Sequence, residues 1–186
     1  AVRAQDGMFT VETSGESYSA RALILATGVK HRRLGLAEEA SYLGRGLSYC
    51  AVCDGAFFKN RTVAVVGGGN AALQSAIYLA DVAEKVYLIH RRTQYRAEEA
   101  VIRAMEAKPN IEPVLNKTVA SLSGEPLLQS LTLCDTQTGD KSELPVNGVF
   151  VSIGKVPAND FCRDLVMLDD AGFIVADESC KTNVPG

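Results

Sequence analysis

Two cysteines and one acidic residue have the types and the spacing of a redox centre. The segment Cys50-Ala51-Val52-Cys53-Asp54 places two thiols three positions apart, with a carboxyl group directly after the second. In Cys-x-x-Cys motifs the pKa of a thiol falls, so that a reactive thiolate forms near neutral pH. Exchange with a disulfide releases a thiolate that takes up a proton, and Asp54 is adjacent to the pair to serve as acid or base. We predict that Cys50, Cys53 and Asp54 are catalytic.

A structural zinc site and an inert buried pair are the alternatives for these cysteines. Structural zinc needs four ligands, usually a second cysteine pair or histidines at short spacing. The cysteines at 134, 162 and 180 stand apart, and the only histidines are His31 and His90. Gly55 and the polar segment 46–49 indicate an accessible turn around the pair. The sequence favours a working dithiol and predicts no metal site.

A glycine-rich loop follows the dithiol and has the pattern of a dinucleotide-binding turn. Gly67-x-Gly69-x-x-Ala72 comes directly after a β-branched run at 62–66 and opens a helical pattern at 71–83. The glycines permit a tight turn and close approach of backbone to a pyrophosphate, and a small third residue lets helix and strand pack closely. An ordinary strand–helix turn is the alternative. The context favours a nucleotide site, with these predicted contacts: Gly67, Gly68, Gly69, Asn70, Ala71 and Ala72.

The residues after the next predicted strand, 85–89, indicate which nucleotide is bound. An NAD site places Asp or Glu there to bind the ribose 2′-hydroxyl, whereas this chain has His90-Arg91-Arg92 and then Arg96. Guanidinium groups pair with a 2′-phosphate through two parallel hydrogen bonds. A solvated basic helix start is the alternative, but cations there oppose the helix dipole. The sequence favours NADPH over NADH, with His90, Arg91, Arg92 and Arg96 as further cofactor-binding residues.

The elements that would position these groups form an α/β domain of the Rossmann-like class. Strand and helix patterns alternate from 62 to 115, and a β-meander crossover follows, with Thr138-Gly139-Asp140 as a hairpin turn. Before them, the alternating run 8–13 and the apolar run 22–26 predict a hairpin whose second strand ends at Gly28. Near the end of the chain we predict a short strand at 172–175.

Composition narrows the class of protein. The chain has 186 residues, of which 47% are hydrophobic and 22% charged, and a net charge of −3. Neither a basic patch for nucleic acid nor an apolar run of about 20 residues for a membrane is present. Five cysteines, with a single close pair, indicate a reducing and hence cytoplasmic compartment. The polar opening is unlike a signal peptide, and the lack of an initiator Met leads us to expect that Ala1 is not a native start.

Three motifs in this order resemble bacterial low-molecular-weight thioredoxin reductase over essentially the whole chain. They are Ser48-Tyr49-Cys50-Ala51-Val52-Cys53-Asp54-Gly55, the loop with its strand at 63–72, and Ile89-His90-Arg91-Arg92-x-x-x-Arg96-Ala97. In that family an inserted NADPH domain carries the cysteine pair and interrupts an FAD domain. Flavin is also the usual two-electron relay between nicotinamide and a disulfide, although this chain holds a single dinucleotide loop.

The resemblance implies domain boundaries and residue roles. Residues 1–28 would be part of the FAD domain, 29–156 the NADPH domain and 157–186 the returning part of the FAD domain, so we expect a fragment of a homodimeric enzyme. Gly154 lies at the return crossover and joins the cofactor-binding set. Cys53 would lie against the flavin, Cys50 would attack the disulfide of thioredoxin, and Asp54 would donate a proton. Arg91, Arg92 and Arg96 would hold the 2′-phosphate, and domain rotation would hinge at 28–30 and 154–157.

Ala71 departs from the Ser or Thr that is usual in the family at this position and removes a hydroxyl contact to the pyrophosphate. Two relatives of the same fold are alternatives: the flavoprotein subunit of alkyl hydroperoxide reductase, which prefers NADH, and dithiol oxidases, which lack nicotinamide chemistry. The basic stretch after the second strand argues against the first, and the intact loop against the second. For the isolated chain we expect nucleotide binding without turnover.

Overall fold

The computed structural model describes all residues, 1–186, and the chain forms two compact units. The first unit comprises Ala1–Lys30 and Lys155–Gly186, and the second comprises His31–Gly154. The second unit contains both the Cys-x-x-Cys motif and the glycine loop. None of the helices has the length and apolar character needed to cross a membrane.

The first unit begins with a three-stranded antiparallel sheet, in the order β1-β2-β3. Its strands are β1 (Val2–Gln5), β2 (Met8–Glu12) and β3 (Ser17–Ala20), and β4 (Val29–His31) follows at the passage into the second unit. The predicted hairpin is confirmed at β2 and β3, but the prediction that its second strand continues through 22–26 is wrong. A strand needs a neighbour to pair with, and the one backbone bond made there is from Leu23 N–H to the Gly186 carbonyl.

The predicted strand at 172–175 is also wrong. Only an isolated bridge between Leu168 and Ile174 forms there. The Asp169 carboxylate accepts hydrogen bonds from the N–H groups of Ala171 and Phe173, at 2.9 and 2.8 Å. The Asp169 side chain thus accepts hydrogen bonds from backbone N–H groups that would otherwise bond to a neighbouring strand. The segment therefore forms a turn.

The second unit is built on a sheet of five strands, all parallel, in the order β5-β12-β6-β7-β8. The predicted Rossmann-like α/β architecture is confirmed. In chain order the elements are α1 (Glu39–Tyr42), β5 (Leu47–Ser48), α2 (Ala51–Asp54), β6 (Thr62–Val66), α3 (Asn70–Ala80), β7 (Lys85–His90), α4 (Glu99–Glu106), β8 (Ile111–Leu115), β9 (Lys117–Ser123), β10 (Ser130–Asp135), β11 (Lys141–Pro145) and β12 (Gly148–Val151). β13 (Lys155–Pro157) then pairs with β4.

Strand β6 shows why its sequence is a continuous apolar run. Val63 and Val65 pack in one buried cluster with the apolar side of α3, whereas Ala64 and Val66 pack in another with the antiparallel sheet β11-β10-β9. A parallel strand covered on both faces has no polar side, so alternation disappears. The helix on one face and the β-meander on the other hold the carboxyl end of β6 in place, and the glycine loop begins there.

Helix α3 is shorter than the pattern predicts, since it ends at Ala80 instead of residue 83. Asn110 donates its side-chain amide to the Ala80 and Ala83 carbonyls, at 2.8 and 3.2 Å. These carbonyls at the helix end therefore find a side-chain donor, and the apolar residues after Ala80 belong to a turn.

Candidate dinucleotide and dithiol site

The dithiol lies at the start of α2, immediately after the edge strand β5. Cys50 and Cys53 form a disulfide, with Cα atoms 5.3 Å apart. Cys50 is the N-cap residue of the helix, and its Sγ accepts the Cys53 N–H at 3.2 Å. Cys50 is half-buried and Cys53 is exposed. Its greater exposure favours Cys53 as the sulfur that attacks a partner. The Cys53 N–H favours Cys50 instead, because it would stabilise a thiolate at Cys50 Sγ.

Asp54 is held beside the pair by Ser48. The Ser48 hydroxyl donates to Asp54 Oδ2 at 2.6 Å and accepts the Cys50 N–H at 3.0 Å. The Asp54 N–H in turn donates to the Cys50 carbonyl at 3.1 Å. Sequence reasoning found Asp54 but missed Ser48, although Ser48 opens the motif that carries the family resemblance.

A buried carboxylate ties this turn to the connector that precedes it. Glu39 is only 3% exposed and accepts the N–H groups of Leu34 and Gly35, both at 3.0 Å, as well as the Tyr49 hydroxyl. Burial acts to raise the pKa of Glu39, but the hydrogen bonds outweigh it and the pKa is lowered. Burial and the neighbouring Glu39 raise the pKa of Tyr49 to about 12. The Tyr49 ring also stacks on His31, with ring centres 5.3 Å apart.

The three loop glycines differ in what surrounds them. A Cβ at Gly67 would lie 2.3 Å from the Ser152 carbonyl oxygen and 2.6 Å from the Ala72 Cβ. A Cβ at Gly68 would lie 2.2 Å from the His90 ring, whereas nothing lies within 4 Å of one at Gly69. Gly67 and Gly68 thus leave room for the protein's own packing, and Gly69 leaves room above the loop.

His90 supports the loop from below. Its ring is 5% exposed, stacks on Tyr95, and places Nε2 at 3.1 Å from the Gln94 carbonyl oxygen. Because a carbonyl oxygen can only accept, Nε2 carries the proton in this arrangement. Burial, with a contribution from the neighbouring positive charge of Arg96, lowers the pKa of His90.

The basic segment after β7 is attached to the glycine loop by hydrogen bonds. The Arg96 N–H donates to the Gly68 carbonyl at 2.7 Å. Asn70, at the start of α3, donates its amide to the Glu98 carboxylate and accepts the Glu98 N–H, each at 2.8 Å. The loop and the arginine segment therefore form one connected structure.

A cavity of about 460 Å³ opens above this structure. Every predicted cofactor-binding residue lines it except Ala72 and Arg92: Gly67, Gly68, Gly69, Asn70, Ala71, His90, Arg91, Arg96 and Gly154. Ala72 is fully buried beneath the loop, and Arg92 is exposed.

The cavity lining also contains two cationic residues that sequence reasoning did not identify, Arg32 and Lys117. Arg32 belongs to the basic run 30–33, a cluster of positive charge that could have indicated an anion site. No such pattern surrounds Lys117, which only the fold brings to the loop. Lys117 pairs with Asp135 at 2.7 Å, and this contact, with the Gln137 and Thr138 N–H groups, lowers the pKa of Asp135 to about 2.

The residues present fit a phosphorylated dinucleotide. The lining carries Arg32, Arg91, Arg96 and Lys117 and no acidic side chain. No side chain caps α3, and the Asn70 and Ala71 N–H groups at its start form no backbone hydrogen bond, so they remain available to an anion. The absence of a carboxylate at the end of β7 suits a 2′-phosphate better than a free 2′-hydroxyl.

We expect the position of His90 to make stability depend on pH. Since its pKa is lowered below 6.5 in the folded protein, the unfolded chain takes up a proton first as the pH falls. The full free energy of unfolding is therefore present above the unfolded pKa of about 6.5, and it declines as the pH falls from there towards the lower pKa of His90 in the folded protein. Urea unfolding across this range should show a decline in the free energy of unfolding.

Replacing His90 with Gln should flatten this decline. His31→Gln, at the only other histidine, is the matched control for the loss of an imidazole. An unchanged slope in the His90 variant would contradict the assignment.

Over its whole length the chain is similar to known proteins of one family. Residues 1–186 match the family described as Pyridine nucleotide-disulphide oxidoreductase. Thioredoxin reductase of Listeria innocua is 43% identical over 178 residues, which are 95% of this chain and 56% of that protein. The Treponema pallidum thioredoxin reductase is 40% identical over 98% of this chain and 59% of its own length. The chain thus spans somewhat more than half the length of these relatives.

Solved structures give the same result. The crystal structure of Lactococcus lactis thioredoxin reductase superposes with a TM-score of 0.88 at 33% identity, covering 100% of this chain and 61% of that one. The crystal structure of T. acidophilum thioredoxin reductase superposes with a TM-score of 0.85 at the same identity and coverage. The resemblance inferred from the motifs is confirmed, and the chain belongs to the pyridine nucleotide-disulphide oxidoreductase family.

Proposed function

We propose that the whole protein is a thioredoxin reductase, in which electrons pass from NADPH through FAD and the Cys50–Cys53 pair to the disulfide of thioredoxin. One observation carries the proposal: a cationic dinucleotide cavity and a disulfide beside an acid lie in the same compact unit. The names of the relatives at 40–43% identity support it.

In this proposal the NADPH domain spans 29–156, and residues 1–28 and 157–186 belong to the FAD domain. The backbone of the glycine loop and the first turn of α3 would bind the pyrophosphate. Arg91 and Arg96 would hold the 2′-phosphate, with Arg92 at the exposed rim and Arg32 and Lys117 adding positive charge.

The flavin would be bound by the whole protein. The first unit offers a cavity of about 790 Å³, lined in part by Leu23, Leu25, Thr182 and Asn183. All four α-helices of the chain lie in the second unit, so the first unit provides no helix N-terminus for the flavin pyrophosphate. When bound, flavin supplies the two-electron relay between nicotinamide and disulfide.

The dithiol would act by thiol–disulfide exchange. The Cys50 thiolate attacks one sulfur of the partner disulfide, which breaks, and the first partner thiolate leaves and takes up a proton. The Cys53 thiolate then attacks Cys50 Sγ, so that the second partner thiolate leaves and the Cys50–Cys53 disulfide forms. Two electrons pass to the partner, and Asp54 serves the proton transfers.

The surroundings of the dithiol suit a protein substrate. Val52, between the cysteines, is 71% exposed, and Phe57, shortly after them, is 76% exposed. Exposed apolar side chains next to a reactive group are typical of docking surfaces. We further propose that the parent protein is a homodimer of the cytoplasm that binds neither nucleic acid nor membrane. The three unpaired cysteines support a reducing compartment.

The nucleotide preference tests the proposal by calorimetric titration with NADPH and, in parallel, NADH. We expect clear preference for NADPH. Arg96→Ala should weaken NADPH binding by about 10- to 100-fold, because a charge-assisted hydrogen bond contributes about 1.5–3 kcal/mol. Binding of NADH should change by less than about threefold, because it lacks the 2′-phosphate. Arg92→Ala should have a smaller effect.

Arg103→Ala is the matched control, since Arg103 is an exposed arginine of α4 that does not line the cavity. Equal or stronger binding of NADH would contradict the phosphate assignment and favour the hydroperoxide reductase alternative. A folded protein that binds neither nucleotide would favour the dithiol oxidases.

A further inference from the structure

The Ser48 hydroxyl forms hydrogen bonds with residues of the dithiol turn. Ser48 is 5% exposed, at the end of β5. Its Oγ lies 2.6 Å from Asp54 Oδ2, 3.3 Å from the Cys50 carbonyl oxygen and 3.0 Å from the Cys50 nitrogen. A single hydroxyl thus contacts both the acid and the main chain of one cysteine.

The Ser48 hydroxyl carries one proton and can donate it to only one of two nearby acceptors, Asp54 Oδ2 and the Cys50 carbonyl oxygen. The contact to Asp54 Oδ2 is much shorter than the contact to the Cys50 carbonyl oxygen, at 2.6 Å against 3.3 Å. A carboxyl oxygen that carries no proton accepts a hydrogen bond whether or not the other oxygen is protonated. The proton therefore points to Asp54, and the free lone pairs of Oγ receive the Cys50 N–H. The result is a directed chain from the Cys50 N–H through Ser48 to the Asp54 carboxylate.

Asp54 has no other side-chain partner in the structure. It forms no salt bridge, and the bond from Ser48 is the single hydrogen bond to its carboxylate. The side chain is only half-buried, so packing alone leaves it free to rotate into solvent. The orientation of Asp54 therefore depends on one hydroxyl.

We propose that Ser48 is a positioning residue for thiol–disulfide exchange: it holds the Asp54 carboxyl beside the cysteine pair and couples it to the Cys50 main chain. The inference rests on the proposed function, because it assigns Asp54 the proton transfer to the leaving thiolate. No bond to Ser48 forms or breaks in the step. The hydroxyl keeps its proton, and the proton that the leaving thiolate gains comes from Asp54, which is reprotonated by solvent.

The test uses the whole protein with its dithiol reduced, and it measures exchange with two disulfides that differ in leaving group. Oxidised glutathione releases an alkyl thiolate, which requires a proton. The aromatic disulfide 5,5′-dithiobis(2-nitrobenzoate) releases a thiolate of low pKa, which leaves without one. A residue that positions an acid affects the first reaction more than the second, whereas a general disturbance of the turn affects both alike.

We expect Ser48→Ala to slow exchange with oxidised glutathione by about 10-fold or more, and exchange with the aromatic disulfide by less than about twofold. Ser48→Thr keeps a hydroxyl and should restore most of the rate. Asp54→Asn should slow the glutathione reaction by about 100-fold, and adding Ser48→Ala to it should cause little further loss, because Ser48 acts through Asp54.

Ser130→Ala is the matched control. Ser130 is a buried serine of β10, and its hydroxyl donates to the Glu143 carboxylate at the same distance, 2.6 Å. It should leave both exchange rates unchanged. Equal slowing of both reactions by Ser48→Ala, an additive double variant, or no restoration by Thr would each overturn the proposal.

The same variants separate this inference from the proposed function. If the unaltered protein failed to reduce thioredoxin with NADPH, the proposed function would fall. The glutathione comparison would still decide the role of Ser48, since it requires neither NADPH nor thioredoxin.

Discussion

Replacing Gly67 with Ala is expected to destabilise the second unit by about 3 kcal/mol or more and to abolish NADPH binding. The residue has φ +151°, which side chains rarely adopt, and the new methyl group would lie 2.3 Å from the Ser152 carbonyl oxygen. The Ser152 N–H is itself bonded to the Val66 carbonyl at 2.8 Å, so this backbone cannot move away without breaking the pairing between the ends of β6 and β12. Urea unfolding and calorimetric titration measure the two effects.

Gly69→Ala is the control for this prediction. Its φ is −104°, and its Cβ would have no neighbour within 4 Å, so the free energy of unfolding should change by no more than about 1 kcal/mol. The methyl group would nevertheless stand in the path of the pyrophosphate and weaken NADPH binding. Similar loss of stability in both variants would contradict this account of the loop.

Replacing Cys53 with Ser in the whole protein should reduce the proposed NADPH-dependent reduction of thioredoxin by at least about 1000-fold, because the disulfide that accepts electrons can no longer form. The variant should retain NADPH affinity within about twofold, since Cys53 does not line the nucleotide cavity. A thioredoxin whose second cysteine is removed and whose first cysteine carries 5-thio-2-nitrobenzoate as a mixed disulfide should be attacked by the Cys50 thiolate. The aromatic thiolate then leaves, and thioredoxin accumulates as a mixed disulfide on Cys50, detectable by mass spectrometry.

Cys50→Ser distinguishes the roles of the two sulfurs. If Cys50 attacks the partner, this variant is inactive and traps no thioredoxin. Accumulation of the mixed disulfide in Cys50→Ser instead of Cys53→Ser would reverse the assignment, as the greater exposure of Cys53 would suggest. Cys180→Ser, at an exposed unpaired cysteine, is the control and should keep full activity.

Much of the second unit could be predicted from local sequence because its signals are local. The apolar run of β6, the glycines after it and the helical spacing of α3 are consecutive, and each reflects the same buried parallel strand. Elements that depend on distant partners were less predictable. The run 22–26 has strand composition, but composition does not supply a neighbouring strand to complete the hydrogen bonds.

The same distinction applies to the candidate site. The cysteine pair, Asp54 and the arginines are recognised by spacing alone. Lys117 reaches the cavity only because β9 crosses beside the loop, and Ser48 contacts Asp54 only because the chain turns sharply between β5 and α2. Such contacts join residues whose separation in sequence carries no periodic signal, so pattern analysis does not find them.

The reciprocal bonds between Asn70 and Glu98, with that from Arg96 to Gly68, have a consequence for redesign of cofactor preference. They involve main-chain groups and two side chains that are not arginines, so exchanging Arg91 and Arg96 leaves the scaffold intact. The arginine-bearing segment is held by the protein's own hydrogen bonds, which limits the conformational entropy that is lost on nucleotide binding. Specificity for the 2′ position and the capacity to hold a pyrophosphate are therefore separable properties, and a switch towards NADH needs changes at the tips of a few side chains, without rebuilding the loop.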